Sequence, residues 1–425
     1  MDFPRSTLLT RLGSQVDSLL RDAGIVTIGV ILSGGINYGF QLFMGRALGP
    51  EEYGVFGALF ALTYLLQVFS RGIRFASSRY GAKLNQAQQS VLAFHSSFAI
   101  RTVGVGVVLA SIVLLATEEL SALLDIGQFI TIIIVALSIP FSLLLPVNIG
   151  LMEGTSQFKD LAGFQVIPAV LKLGVGAGLV LLGYGIAGAF LGIFAGVAVT
   201  AVWSTKRIRD RNVGGENSSA FSPRRAYRYL VPATLAGLCF NIPGNVDVIL
   251  VQGLTSDTAA GYYTAASVLG KSLIFLVIGL TAALFPAIAR IDSDETANQK
   301  QMQSLFKRGM GYSVLLLGSV TAVYALIPKH IVVILYGGAY ANAAPFVRWY
   351  AVAIFVFCLA LVILNFELAR SNYRFVVLFS IVSIGEVIAM IVLGGDPIAL
   401  IRTLLAANTG LVSVGSIKVG YELWG

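Results

Sequence analysis

Apolar runs separated by short polar segments make up most of the chain, and each run approaches the length of about 20 residues that crosses a bilayer as a helix. The runs lack the period-two alternation of barrel strands. They predict twelve transmembrane helices, at 24–46, 54–74, 90–116, 128–150, 161–182, 185–205, 229–252, 259–288, 308–328, 344–369, 374–394 and 396–418. The pattern therefore predicts an all-α integral membrane protein.

Composition and charge support lipid as the main solvent. Of 425 residues, 56% are hydrophobic and 12% are charged, whereas a soluble protein averages about 25% charged residues. The net charge of +8 does not indicate nucleic-acid binding, because the basic residues lie in short loops. With the N-terminus in the cytoplasm, 22 of the 29 Lys and Arg residues fall in cytoplasmic segments. This bias predicts a multi-pass plasma-membrane protein with both termini cytoplasmic.

The longest polar segment divides the chain near its middle. Residues 206–228 are basic and rich in Ser and Gly, as expected of a cytoplasmic linker. The division predicts an N-terminal six-helix lobe at 1–205 and a C-terminal six-helix lobe at 229–425.

Internal similarity supports duplication of the two halves. Aligning Leu48 with Leu254 and allowing one gap matches Gly54 with Gly261. Later, NIGLMEGTSQF from Asn148 is similar to NFELARSNYRF, which begins at residue 365. Two six-helix halves in the same orientation are parallel repeats, an arrangement common among transporters.

Several segments together resemble a known family. They are LGPEEYGVF from Leu48, NVDVILVQGLTSDTAAGYYTAA from Asn245, LFPAIARI from Leu284 and ILYGGAYANAAPFVRWYA from Ile334. The chain resembles the polysaccharide flippase branch of the multidrug/oligosaccharidyl-lipid/polysaccharide exporter superfamily. The resemblance implies two six-helix bundles around a central cavity, lined mainly by spans one, two, seven and eight. It also implies alternating access and a polyprenyl-linked oligosaccharide as the cargo.

Polar and ionisable side chains inside the spans are the candidate site residues, because their cost in hydrocarbon makes a function the default expectation. The candidate cavity residues are Asn37, Gln41, Arg71, Arg74, Asn245, Asp247 and Lys271. Arg71 and Arg74 suit phosphate, although ordinary cytoplasmic anchoring explains them equally well. Asp247 has two interpretations: a neutralising pair with Lys271, or a site for a coupling proton or sodium ion.

Three further ionisable residues fall inside spans that the resemblance places away from the cavity: Arg101, Lys172 and Glu386. We expect them to form buried pairs that stabilise the lobes. His95 and His330 stand alone, so no metal site is expected. Apart from a coupling ion, no cofactor is expected.

The leading hypothesis is a non-enzymatic flippase for a lipid-linked oligosaccharide. Its expected partners are that substrate, membrane lipids and glycan-assembly enzymes. A drug or small-solute antiporter of the same superfamily is the first alternative. A membrane glycan polymerase or ligase is the second, although the short outer loops offer little room for a catalytic site.

Overall fold

The chain is described by a computed structural model that covers residues 5–66, 68–87, 91–124, 129–211, 244–292, 299–370, 372 and 374–424. The predicted linker lies mostly outside these residues, as does the first part of the predicted seventh span, up to residue 243. All regular elements of the described residues are helices. The prediction of an all-α protein is confirmed.

Seven helices make up the first half of the described chain. They are α1 (Arg5–Leu66), α2 (Val68–Gln86), α3 (Val91–Leu115), α4 (Thr117–Leu124), α5 (Phe129–Gly154), α6 (Phe158–Leu179) and α7 (Gly185–Arg211). A π-helical turn at Val180–Tyr184 joins the last two. The second half continues with α8 (Val246–Leu254), α9 (Asp257–Asp292), α10 (Gln299–Leu326), α11 (Pro328–Tyr336), α12 (Ala344–Ala369), α13 (Arg374–Leu393) and α14 (Pro397–Trp424).

Within the described residues, nine helical stretches are long and apolar enough to cross a membrane. Two of them, Gly24–Gln86 and Phe158–Arg211, each contain two of the predicted spans. The stretches therefore account for eleven predicted spans, and α8 is the described end of the remaining one. The number and order of the spans agree with the sequence pattern.

The predicted loop between the first two spans is helical instead. Helix α1 continues through it with one break, at Gly49, whose φ of 77° and ψ of 173° are not helical. A positive φ is accessible to glycine without steric cost. Pro50 follows and begins the next helical segment, a position in which a missing N–H is tolerated. A Gly-Pro pair therefore makes the turn without a loop.

The described chain forms two compact units. The first unit comprises the described residues within 1–44, 66–121 and 127–237. The second comprises 45–65, 122–126 and 238–425. This division differs from the predicted lobes, because 45–65 and 122–126 belong to the second unit. The reason is packing, since the segment after Gly49 lies against the start of α9.

In the first unit, glycines bring α6 and α7 together. Gly188, Gly192 and Gly196 recur every four residues and share one face of α7. A Cβ on Gly196 would lie 2.6 Å from the carbonyl oxygen of Pro168, and one on Gly192 would overlap Gly176. Small residues at this spacing allow close helix packing in lipid.

In the second unit, the two glycines matched by the internal repeat lie against each other. A Cβ on Gly54 would lie 2.9 Å from the backbone nitrogen of Gly261 and 2.8 Å from the carbonyl oxygen of Asp257. A Cβ on Gly261 would overlap the carbonyl oxygen of Pro50. The two segments that the sequence alignment matches therefore cross at their matched glycines, leaving no room for a side chain.

Candidate functional site: buried ionisable clusters

Asp247 is the centre of a polar cluster in the second unit. It lies in the first turn of α8 and is fully buried. Its Oδ2 accepts hydrogen bonds from the hydroxyl groups of Tyr350 (2.7 Å) and Tyr263 (3.2 Å). Tyr350 also contacts Ser267, with 3.1 Å between the hydroxyl oxygens. Donors from α9 and α12 therefore hold one carboxylate oxygen in an apolar interior.

Lys271 supplies positive charge to this cluster. Its Nζ lies 3.9 Å from Asp247 Oδ1, and its side chain is 23% exposed. The residue is fourteen positions after the start of α9, which places it about 21 Å along that helix. The structure thus brings Asp247 and Lys271 together, as the first of the two sequence interpretations expects. However, Asp247 Oδ1 makes no hydrogen bond, so the contact is looser than a hydrogen-bonded ion pair.

Glu386 is a second carboxylate of the same cluster. It is 3% exposed in α13, and that helix packs against α8, which carries Asp247. Its Oε1 is buried without a hydrogen-bond partner. The sequence predicted that Glu386 is buried in an ion pair away from the cavity residues. Glu386 is indeed buried, but it lies near Asp247, which was itself a predicted cavity residue.

Asn245 lies just before α8 and is half-buried. Its position two residues from Asp247 places it at the edge of the cluster.

Arg71 and Arg74, the two candidate arginines of the first unit, differ in their contacts and exposure. The guanidinium of Arg74 pairs with Glu153 of α5, with 2.9 Å between Nε and Oε1. Arg71 is exposed, three positions earlier on α2. Arg74 therefore ties α2 to α5, while Arg71 lies on the surface of α2.

Lys172 and Asn37 come together in the first unit. Lys172 of α6 is 8% exposed and donates a hydrogen bond to Asn37 Oδ1 on α1. Its Nζ also lies 4.6 Å from the centre of the Phe40 ring. Gln41, the remaining candidate, is half-buried one turn after Asn37. A lysine predicted to stabilise a lobe thus contacts a residue predicted to line the cavity.

The prediction for Arg101 is wrong. Its side chain is exposed, as are those of Ile100, Val105 and Val108 on the same helix. Apolar sequence on both sides of Arg101 suggested burial, but these neighbours are themselves on the surface of α3. The hydropathy of a segment indicates how far a residue lies from the ends of a membrane-spanning helix. It does not indicate whether the side chain is buried against other helices.

Sequence reasoning missed the tyrosines of the Asp247 cluster and a network around Asn148. Asn148 Oδ1 lies 2.8 Å from His95 Nε2, and its Nδ2 donates to Ala201 O (3.1 Å) and to Ser204 Oγ (2.8 Å). Because the Asn148 amide nitrogen is the donor on one side, His95 Nε2–H is the donor on the other. The repeat match at Asn148 was the signal available in the sequence.

Within the described residues, no three His, Cys, Asp or Glu side chains are arranged to hold a metal ion.

Similarity between this chain and known proteins is found in the fold and in a family model. No curated protein sequence matches the chain. The fold is similar to that of a structure described as the inward-facing conformation of a multidrug resistance MATE family transporter of the MOP superfamily. The TM-score is 0.73 at 13% identity, covering 92% of this chain and 98% of the other.

A second similar structure is described as the lipid II flippase MurJ in an inward closed conformation. Its TM-score is also 0.73, at 15% identity, covering 93% of this chain and 87% of the other. A third is described as a MOP superfamily transporter from Pyrococcus furiosus whose binding pocket has reverse polarity. Here the TM-score is 0.61 at 14% identity, covering 94% and 95%.

A family model described as "Polysaccharide biosynthesis protein" matches residues 43–345. That range is more than half of the chain and includes Asp247, Tyr263, Lys271 and Lys172, while Tyr350 and Glu386 lie beyond it. The chain therefore belongs to the polysaccharide biosynthesis protein family.

Proposed function

We propose that this protein is a flippase that translocates a polyprenyl-linked oligosaccharide across the membrane by alternating access. The observation that carries the proposal is Lys271, an ammonium group held about 21 Å along a membrane-spanning helix and only loosely engaged by Asp247. An ionisable side chain at such a depth is costly and marks a pathway in many transporters. Membership of a polysaccharide biosynthesis family supports a glycan cargo.

The chemistry of the cargo explains why a lysine is needed. Sugars and phosphate lose their hydration on entering hydrocarbon, and an isolated anion there is strongly disfavoured. A buried ammonium group lowers that cost for the phosphate, and hydroxyl and amide groups hydrogen-bond the sugars. No bond is made or broken, so the protein acts as a transporter.

The two carboxylates of the cluster provide a place for coupling. Asp247 Oδ1 and Glu386 Oε1 are buried acceptors without hydrogen bonds. A proton or a sodium ion would satisfy them and would also weaken the hold of Asp247 on Lys271. We infer that a cation gradient drives the cycle through these two side chains.

A cation antiporter is the second candidate function, and the same carboxylates favour it. Asp247 and Glu386 would bind an organic cation as well as a coupling ion. One similar structure is described as a multidrug resistance transporter. The two candidates differ in the role of Lys271, which helps an anionic cargo and repels a cationic one.

Purified protein in liposomes tests the proposal. A fluorescent oligosaccharide linked to polyprenyl diphosphate is placed in both leaflets, and the fraction accessible to an external glycosidase is followed over time. We expect wild-type protein to raise the accessible fraction above that of empty liposomes. Lys271→Met should reduce the rate at least tenfold, while Lys329→Met, an exposed lysine of α11, should leave it unchanged.

Two outcomes would overturn the proposal. In the first, wild-type protein moves no more lipid than empty liposomes do. In the second, the protein exchanges an organic cation such as ethidium for protons, and Lys271→Met leaves that exchange intact or improves it. The second result would support the antiporter.

The same proposal places the protein in the plasma membrane with both termini in the cytoplasm. It also includes glycan-assembly enzymes as partners. The bias of basic residues toward one set of loops supports the orientation. Fusing a reporter that is active only in the cytoplasm to each end should give signal at both. Signal at one end alone would indicate an odd number of spans.

A further inference from the structure

An open groove runs along helix α10 in the second unit. It has a volume of about 490 Å³ and is lined by Phe306, Lys307, Met310, Gly311, Val314 and Leu315. These residues form two rows with a spacing of four, so they share one side of the helix. The volume lies within the range of about 300–1,000 Å³ that is usual for small-molecule sites. We call these six residues the α10 groove.

A glycine opens the middle of the α10 groove. Among the described residues, no atom would lie within 4 Å of a Cβ on Gly311. The side chains of Val314 and Leu315 beside it are exposed. At one edge, the ring of Phe306 packs against Phe366 of α12, with 4.7 Å between the ring centres. The groove is therefore fixed to the protein along one edge and open on the other.

The α10 groove crosses the level at which hydrocarbon gives way to polar headgroups. The membrane-spanning stretch Gln299–Leu326 has 28 residues, more than the about 20 that cross the hydrocarbon. Counting about 20 residues back from Leu326 reaches Lys307, whereas Leu315 lies about 12 Å deeper along the helix. The ammonium group is therefore at headgroup level, and the rest of the groove lies in hydrocarbon.

The α10 groove combines one ammonium group with apolar walls. Lys307 is exposed and carries three N–H donors, so a single contact within the protein still leaves donors for a ligand. Phe306, Met310, Val314 and Leu315 offer no hydrogen-bond donor. A ligand that fits has an anionic oxygen at one end and a hydrocarbon chain directly beside it. Basic sites on membrane-spanning helices at this level bind anionic lipid headgroups.

We propose that the α10 groove binds an anionic phospholipid, with Lys307 donating to the phosphate and an acyl chain lying along Met310, Gly311 and Val314. The site is separate from the Asp247 cluster and does not depend on the flippase function. Under the orientation proposed above, the lipid belongs to the cytoplasmic leaflet. The sequence alone did not indicate it, because a lysine at the boundary of a span is also an ordinary membrane anchor.

Counting lipids bound to the full-length protein tests the α10 groove. Purified protein in detergent micelles is titrated with phosphatidylglycerol or with phosphatidylcholine of the same acyl chains, and native mass spectrometry counts the bound molecules. Both lipids carry a phosphate, but the choline cation neutralises the headgroup of the second. We expect wild-type protein to bind one phosphatidylglycerol about tenfold more tightly, as a hydrogen bond between charged groups would give.

Three variants locate the bound lipid. Lys307→Met should remove the preference, leaving the affinities for the two lipids within about twofold of each other, because the charge-assisted hydrogen bond is lost. Arg308→Met is the matched control, since it removes the same charge from an exposed neighbour outside the groove, and it should keep the preference. Gly311→Leu fills the middle of the groove and should weaken both lipids about tenfold, as the loss of two buried methylene groups would. It should fold, because leucine favours a helix and the position is open.

Four results would overturn the assignment. Equal wild-type affinities for the two lipids would remove the role of the headgroup charge. Equal loss of preference in Lys307→Met and Arg308→Met would indicate general attraction to the basic end of α10. Unchanged binding in Gly311→Leu would place the lipid elsewhere. Near-complete displacement of phosphatidylglycerol by an equimolar polyprenyl diphosphate would assign the groove to that lipid instead.

Discussion

The two units bury their ionisable groups in opposite ways. In the first unit, Lys172 is held by an amide oxygen and an aromatic ring. In the second unit, Asp247 and Glu386 are buried together with two tyrosine hydroxyls, and Lys271 lies at 3.9 Å. The second unit therefore holds carboxylates beside its ammonium group, whereas the two contacts named here for Lys172 are uncharged. Under the proposed function, the second unit supplies both the carboxylates for a coupling cation and the ammonium group for the phosphate.

The comparison predicts that the second unit is the more sensitive to loss of one charged partner. Asp247→Ala leaves two tyrosine hydroxyls and Lys271 without their acceptor, and breaking a buried pair costs about 3–5 kcal/mol. We expect a loss of that size in the free energy of unfolding, measured by denaturant titration in detergent.

The double variant Asp247→Ala/Lys271→Ala sharpens this result. It should be more stable than the sum of the two single losses indicates, because neither member of the pair is left without the other. Additive losses would mean that the 3.9 Å contact carries no coupling energy.

The glycine crossing should produce the next largest effect. Gly261→Ala forces a methyl group into the space of the Pro50 carbonyl oxygen, and overpacking costs about 1–3 kcal/mol. Gly279→Ala, on the same helix with no atom within 4 Å, is the matched control and should be neutral or slightly stabilising. Thermal unfolding of both purified variants gives the comparison. Equal melting temperatures for the two variants would contradict the close contact between Gly261 and Pro50.

Asn148 and Asn365, which the internal alignment matches, should differ by a smaller amount in their contribution to the free energy of unfolding. Asn148→Ala removes bonds to His95, Ala201 and Ser204, and interhelical hydrogen bonds in membranes are worth about 0.6 kcal/mol each on average. We expect a loss of about 1–2 kcal/mol in unfolding free energy. Asn365→Ala removes one bond within its own helix, to the Leu361 carbonyl oxygen, and should cost less. A larger loss at Asn365 would reverse the comparison.

Arg101→Gln should produce the smallest effect. Its side chain is exposed, and surface substitutions usually change stability by less than about 0.5 kcal/mol. Unfolding free energy and lipid translocation should both remain at wild-type values. A loss above 1 kcal/mol would show that Arg101 belongs to a buried pair after all.

Much of the fold was predictable, because the length and apolarity of each span follow from the thickness of the bilayer. The short helices α4 and α11 were not predicted, since eight or nine residues are too few for a hydropathy signal. The continuation of α1 through residues 47–53 was missed for a different reason. A proline after a glycine usually marks a loop, and here the pair marks a turn between two helical segments.

The candidate site was predictable only in part. The Asp247–Lys271 pair followed from two opposite charges at similar depth in adjacent spans. Tyr263 and Tyr350 could not be distinguished from core aromatics, because a hydroxyl group adds little to hydropathy. The partners of Lys172 and Glu386 depend on which face of each helix points inward. That choice is made by tertiary packing, which a single sequence does not report.

The charge of the cargo provides the most direct test of the account. Proteoliposomes containing wild-type protein receive either a polyprenyl-diphosphate oligosaccharide or an uncharged glycolipid with the same sugars and polyprenol. If Lys271 serves the phosphate, the charged lipid crosses faster than in empty liposomes and the uncharged lipid does not. Equal translocation of both lipids would contradict the account.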